Sequence, residues 1–339
     1  MKKRLVDEEG KIIFNFVQFS YYDIITFSLF KGGLMKDHAF LFPGQGSQVV
    51  GMGKDLYLNT ALGKKTFDMA NEILGFHFSK ICFEGPEEEL RLTYNGQPAL
   101  LTVSYILYNL LGEEPYMAAG HSLGEYSALL CAGAIKYEDT VLAVHKRGKY
   151  MQEAVPVGKG AMAAIMGVDV EKILEVVEKV EGVVDVANLN SPTQVVISGE
   201  KKAVEEAVEI IAPRKVKFLP VSAPFHSELM RPAEEKLSAD LNNIEFRDLA
   251  FPVINNIEAA EVTTGEYARY SLKKQVSRPV LWHDTIMKFL KEQEIKKFTE
   301  IGSGRVLTGL IKRTARQESI DIETYNIRDL EDLKAIYKN

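Results

Sequence analysis

The chain has 339 residues, 46% of them hydrophobic and 26% charged, and a formal net charge of −6 at pH 7. This is a globular composition with room for one large core or two smaller ones, and its acidic balance argues against a nucleic-acid binder. The two cysteines, Cys82 and Cys131, have no metal or redox spacing. That argues against a disulfide framework or zinc site and makes a reducing, cytoplasmic setting the expectation.

Residues 1–34 differ from the rest. A basic start, Met1 to Arg4, and acidic Asp7 to Glu9 precede an aromatic-rich run, Ile12 to Phe30, broken by Asn15, Gln18 and Asp23. The interruptions speak against a membrane span, and no small-residue cleavage site follows. Lys31-Gly32-Gly33 stands just before Met35, and codons for it can spell a bacterial ribosome-binding site. The expectation is that residues 1–34 are a leader outside the fold and that translation starts at Met35.

From there the chain reads as alternating strand and helix. Ala39 to Phe42 is a short apolar strand that enters the turn Pro43-Gly44-Gln45-Gly46-Ser47-Gln48. The turn lacks the third glycine of a dinucleotide site and the Gly-Lys-Ser/Thr of a P-loop. It remains a loop whose backbone N–H groups can approach a ligand. Helices are predicted over Ala61 to Leu74, Glu87 to Leu92 and Gln97 to Leu111, the last opened by Pro98.

Tyr116 to Ala119 is a second apolar strand. It runs into Gly120-His121-Ser122-Leu123-Gly124, a G-x-S-x-G pattern, and then a helix from Glu125 to Ala134. Strand, sharp turn and helix are the context of a nucleophile elbow, and the unpaired N–H groups at the helix start suit an oxyanion. Tyr137 to Glu153 is a further helix bearing His145, Lys146, Arg147 and Lys149. It is either a solvated basic face or a helix with one arginine turned into a cleft.

Pro156 to Lys159 reads as a linker, after which the pattern changes. Ala161 to Val168, Val183 to Asn188, Gln194 to Ser198 and Val216 to Leu219 are strands, with helices at Asp169 to Lys179 and Lys201 to Ile211. The β-α-β-β-α-β order is the split βαβ arrangement, so residues 157–220 are expected to be a small ferredoxin-like domain inserted into the larger one. The large part, 35–156 and 221–339, continues with the proline-framed loop Pro220 to Ser227 and helix Met230 to Leu241. Strand Phe251 to Asn255, a polar loop at Gln275 to Pro279, helix Trp282 to Lys291 and strand Phe298 to Ile301 follow, then Gly302-Ser303-Gly304-Arg305 and a last helix. The expected core is a mostly parallel sheet covered on both faces.

A serine needs a base. Of the six histidines, His226 sits in the rigid loop where the insert rejoins the core, the usual place for an α/β site to be completed. His121 is too close along the turn to face Ser122. Between positions 122 and 226 neither Asp139, Asp169 nor Asp185 has a telling context, so an acid is not required: a backbone carbonyl can orient the imidazole instead.

Five segments together resemble malonyl-CoA:acyl carrier protein transacylases. They are Phe42 to Gln48, Gly120 to Tyr126, Arg147 to Pro156, Pro220 to His226 and Gly302 to Leu310, in family order between Met35 and about Arg313. The resemblance implies an α/β-hydrolase-like core with a ferredoxin-like insert. It also implies Ser122 as acylated nucleophile, His226 as base, and the Gln275 backbone carbonyl as its orienting group. Gln45 and Leu123 would supply the oxyanion N–H groups, and Arg147 would grip the malonyl carboxylate. Gly302 to Arg305 departs from the common Gly-Pro-Gly-Lys, and Phe225 resembles the related polyketide enzymes that refuse an α-methyl branch.

The implied reaction is ping-pong transfer of malonyl from CoA to a phosphopantetheine thiol, needing no cofactor or metal, by a cytoplasmic monomer with no nucleic-acid or membrane partner. An acidic carrier protein would meet a basic patch at Arg214, Lys215 and Lys217, or a second one at Lys312 and Arg313. The rivals are a serine thioesterase, a polyketide acyltransferase and a non-catalytic carrier-binding protein.

Overall fold

The structure, a computed structural model, describes residues 35–221 and 223–336. The leader expected at residues 1–34 lies outside the described residues. The larger sheet has six strands: β1 (Met35–Phe42), β2 (Pro115–Gly120), β7 (Val253–Ile254), β8 (Glu261–Val262), β9 (Lys297–Ile301) and β10 (Glu323–Ile327). Their order is β10-β9-β1-β2-β7-β8. The first five run parallel and β8 is antiparallel to β7.

The run Ala39-Phe40-Leu41-Phe42 explains why β1 is central. Side chains alternate across a strand, and both sets are buried. Phe40 and Phe42 join one apolar core, Ala39 and Leu41 the other. The first core is closed by α1 (Lys54–Asn59), α2 (Ala61–Leu74), α3 (Phe78–Glu84), α4 (Glu87–Arg91), α5 (Thr93–Leu111), α6 (Leu123–Cys131) and α7 (Tyr137–Glu153).

The second sheet contains β3 (Gly160–Met166), β4 (Val184–Ser191), β5 (Gln194–Glu200) and β6 (Lys215–Phe218), ordered β4-β5-β3-β6 and antiparallel throughout. Ala163 and Ile165 of β3 pack with Ile173 and Val176 of α8 (Val170–Lys179) and Val204 and Ala207 of α9 (Lys201–Ile211). Met162 and Ala164, on the opposite face, belong to the large core. Backbone bonds from Leu189 N to Val280 O (3.0 Å) and Val280 N to Ala187 O (2.9 Å) tie β4 to the chain ahead of α12 (Trp282–Met287).

Several elements depart from the sequence reading. The 251–255 strand shrinks to two residues, Val253–Ile254. Gln275 was expected in a loop, yet it is the last residue of α11 (Gly265–Gln275). That helix carries few apolar residues, and its buried stripe of Ala268 and Leu272 is too thin to announce itself. Strand β10 is a half-exposed edge rich in polar residues, and it too gives little pattern.

Helix α5 begins at Thr93, four residues before the expected Gln97, so Pro98 lies inside it. Proline removes the N–H that would bond the Tyr94 carbonyl. His145 Nδ1 takes that carbonyl instead, at 2.7 Å. Gly148 then lets α7 touch α5: a Cβ there would fall 2.5 Å from Tyr94 Cα. These two contacts set the rotation of α7, and with it Arg147.

No helix among the described residues is long and apolar enough to cross a membrane. Nor do the described residues contain a His/Cys/Asp/Glu group that could hold a metal.

Candidate active site

Phe42 at the end of β1 pairs with Gly120 at the end of β2, so the loops after both strands emerge side by side. Ser122 caps α6 with φ 52° and ψ −105°, a conformation non-glycine residues avoid. Such strain costs about 1–3 kcal/mol and persists only where neighbours enforce it. The enforcers are visible. A Cβ on Gly120 would lie 1.9 Å from the Gly124 carbonyl carbon, and one on Gly124 would lie 2.0 Å from the Phe42 oxygen. Asn256 braces the turn from outside, accepting from Ser122 N at 2.7 Å and donating to the Gly120 carbonyl at 2.7 Å.

Ser122 Oγ meets His226 Nε2 at 2.8 Å. His226 Nδ1 faces two carbonyl oxygens, Gln275 O at 2.9 Å and Arg278 O at 3.2 Å. Carbonyls only accept, so Nδ1 carries the proton and Nε2 is the lone pair that receives the serine hydrogen. The pair therefore needs no carboxylate. Burial, reinforced by the Arg147 charge, lowers the His226 pKa to about 3. A base depressed in this way stays neutral on going below its ordinary value of 6.5. We therefore expect kcat/KM for the acyl donor, which reports the free enzyme, to be level from about pH 5 to pH 8. An acid limb centred near 6.5 in a pH–rate series would contradict this assignment.

Two of the four basic residues on α7 turn inward, His145 onto the Tyr94 carbonyl and Arg147, at 1% exposure, toward Ser122, while Lys149 is exposed and Lys146 pairs with Asp240 at 2.6 Å. Arg147 Nη1 donates to Gln97 Oε1 (2.7 Å), and its Nη2 to Gln275 Oε1 (2.9 Å) and Ser122 Oγ (3.1 Å). Its guanidinium lies over the Tyr126 ring, 5.4 Å from the centroid. Ser122 Oγ thus stands between a base on one side and a cation on the other. A carboxylate two carbons beyond an acyl group on that oxygen would be within reach of the fork.

Four polar residues that the sequence reading did not single out complete the site. Gln97 holds Arg147, and Asn256 holds the elbow. Glu125 is fully buried; its Oε1 accepts from Ser271 Oγ at 2.6 Å and its Oε2 from Asn256 N at 3.0 Å and Gln275 Nε2 at 2.8 Å. The available signal was Glu125 itself, a charged residue within the apolar helix that follows the elbow.

Leu123 is the first residue of α6, where helix N–H groups have no carbonyl behind them. Gln45 follows Gly44, whose close approach to the elbow leaves no room for a side chain, since a Cβ would sit 2.4 Å from the His121 carbonyl oxygen. Phe225 is buried beside the base. His121 bonds Asn190 through Nε2 at 2.9 Å and packs on Trp282, away from base duty. Arg214, Lys215 and Lys217 are exposed along β6, an edge strand. Lys312 is exposed too, but Arg313 is engaged by Gln194 at 2.6 Å.

Residues 39–335 match the model of the acyl transferase domain family. The chain belongs to this family. A malonyl CoA-acyl carrier protein transacylase of Bacillus subtilis is 48% identical over 292 residues, covering 84% of this chain and 92% of the relative. The crystal structure of an acyl carrier protein S-malonyltransferase from Vibrio cholerae superposes with TM-score 0.84 at 40% identity, covering 88% of this acyltransferase and 99% of that chain. A malonyl-transacylase solved in complex with a type II polyketide acyl-carrier protein also gives 0.84, at 41% identity, with 89% and 100% covered.

Proposed function

We propose that this acyltransferase moves malonyl from malonyl-CoA to the phosphopantetheine thiol of an acyl carrier protein through a malonyl ester on Ser122. The observation that carries the reading is the position of Ser122 Oγ, 2.8 Å from a base that can take its proton and 3.1 Å from a buried guanidinium. Arginine's planar fork suits a carboxylate, which gives malonyl a grip that acetyl lacks. The relatives' names and the solved carrier complex support the donor and acceptor.

In the first half-reaction His226 Nε2 accepts the serine proton as Oγ attacks the thioester carbonyl. The Gln45 and Leu123 N–H groups receive the developing oxyanion, each at a value of about 3 kcal/mol in the transition state. The intermediate collapses, the C–S bond breaks, and the imidazolium returns its proton to the CoA sulfur. In the second half the carrier thiol gives its proton to His226, its sulfur attacks the ester carbonyl, and Ser122 leaves with that proton. No atom changes oxidation state in either half, so the steps as written use only the base, the two N–H donors and Arg147. Phe225, the buried residue just before the base in sequence, would on this reading exclude an α-methyl branch.

We further read residues 35–156 and 221–339 as an α/β-hydrolase-like core and 157–220 as a ferredoxin-like insert, supported by the two sheets and their strand orders. The chain acts as a monomer on this reading. Its test is a transfer assay: malonyl-CoA and unacylated holo-carrier should yield malonyl-carrier faster than free malonate. Malonate as the main product would favour a thioesterase instead. Fatty-acid and polyketide carriers run in parallel would show which pathway is supplied.

The exposed Arg214, Lys215 and Lys217 are the proposed landing site for an acidic carrier. Lys215→Glu with Lys217→Glu is expected to slow transfer to the carrier about tenfold at low salt while leaving Ser122 acylation by malonyl-CoA unchanged. An unaltered carrier rate would move the landing site elsewhere.

A further inference from the structure

Arg147 and Glu125 are opposite charges buried in the same wall, and the side chain of Gln275 stands between them. Its Oε1 accepts from Arg147 Nη2 at 2.9 Å, and its Nε2 donates to Glu125 Oε2 at 2.8 Å. The amide cannot be turned over, because Nε2 also donates to the Ser122 carbonyl at 2.8 Å. Glu125 is met by further donors from Ser271 and from the Asn256 backbone. Burial pushes the Glu125 carboxyl above its ordinary range, while the three donors around it and the Arg147 charge favour the ionised form.

The spacing has a chemical consequence. A direct Arg–Glu pair would occupy the guanidinium fork, and each incoming carboxylate would have to break it. A guanidinium with no counter-charge would be costly to bury. The interposed amide avoids both: Arg147 is balanced, yet Gln97 and Gln275 hold it with neutral oxygens that a substrate carboxylate can displace, and its Nε has no partner.

We propose that Glu125 is the resident counter-anion of Arg147, held one amide away through Gln275, and that it sets how tightly the site grips the malonyl carboxylate. This rests on the proposed role of Arg147. Glu125 partly neutralises the guanidinium that receives the substrate carboxylate, in the bound substrate and in the transition state alike. Such uniform effects change KM and leave kcat alone. The malonyl group is thereby held firmly enough to be chosen and loosely enough to leave with the carrier.

The test is Glu125→Gln. Its amide oxygen can accept from Asn256 N and Gln275 Nε2 and its nitrogen can donate to Ser271 Oγ, so the contacts are kept with the Ser271 bond reversed, and the main change is the lost charge. KM for malonyl-CoA should fall on the order of tenfold, kcat should not rise, and KM for acetyl-CoA should move far less than that for malonyl-CoA, widening malonyl selectivity. Glu125→Met, of similar length and uncharged, should shift KM the same way if the glutamine variant does not fold. In an Arg147→Ala background the gain should vanish. An unchanged or raised malonyl KM, equal effects on malonyl and acetyl, or a gain that persists without Arg147 would each overturn the proposal. If Arg147→Ala alone costs malonyl and acetyl equally, the carboxylate role of Arg147 fails first, and the proposal with it.

Discussion

Replacing His226 with alanine should lower the rate of Ser122 acylation about ten-thousand-fold. The hydroxyl has one base within reach, at 2.8 Å. Its other neighbour, Arg147 Nη2, is a donor and cannot take a proton. The imidazole is held by geometry alone: φ of 59° at His226 turns the ring toward the elbow, and the Gln275 and Arg278 carbonyls fix Nδ1–H. Single-turnover malonylation measures the loss directly. A decrease of less than tenfold would mean that another group serves as base.

The second large effect is on choice of acyl group. Arg147→Ala should cost malonyl transfer on the order of a thousandfold in kcat/KM, the scale for losing one partner of a buried charge-assisted pair. Acetyl transfer should drop less than tenfold, reflecting only the lost contact to Ser122 Oγ at 3.1 Å. Arg147→Lys keeps the charge without the fork and should fall between. Competition between malonyl-CoA and acetyl-CoA in one reaction measures the ratio. Equal losses would remove Arg147 from the carboxylate site.

The elbow was legible in the sequence because its constraints are local. Gly120 and Gly124 lie within two residues of Ser122, and the apolar strand and helix flank them directly. The position of His226 beside Ser122 was legible because proline spacing marks a rigid loop, and its Nδ1 meets carbonyls that any residue could supply. Arg147 could be read in two ways, since four basic residues on one helix say nothing about which faces inward. What decides it is Gly148 against Tyr94 and His145 on the carbonyl freed by Pro98. That is a packing relation between α5 and α7, some fifty residues apart.

The brace around the elbow was not legible for the same reason. Asn256 follows a two-residue strand, and Gln275 ends a helix with a faint apolar stripe. Asn256, through its backbone N–H and its side chain, and the Gln275 side chain meet Glu125 and Ser122 across separations of more than a hundred residues. No spacing rule links such positions. The succession of strands and helices through the smaller sheet was easier to read, because apolar runs and polar turns alternate there at short range.

The most direct test of the central claim is intact mass of the protein after brief exposure to malonyl-CoA, followed by peptide mapping. The account predicts a gain of one malonyl group, located on Ser122, absent from Ser122→Ala, and lost again when unacylated holo-carrier is added. A protein that gains no malonyl group, or whose adduct survives in Ser122→Ala, would contradict it.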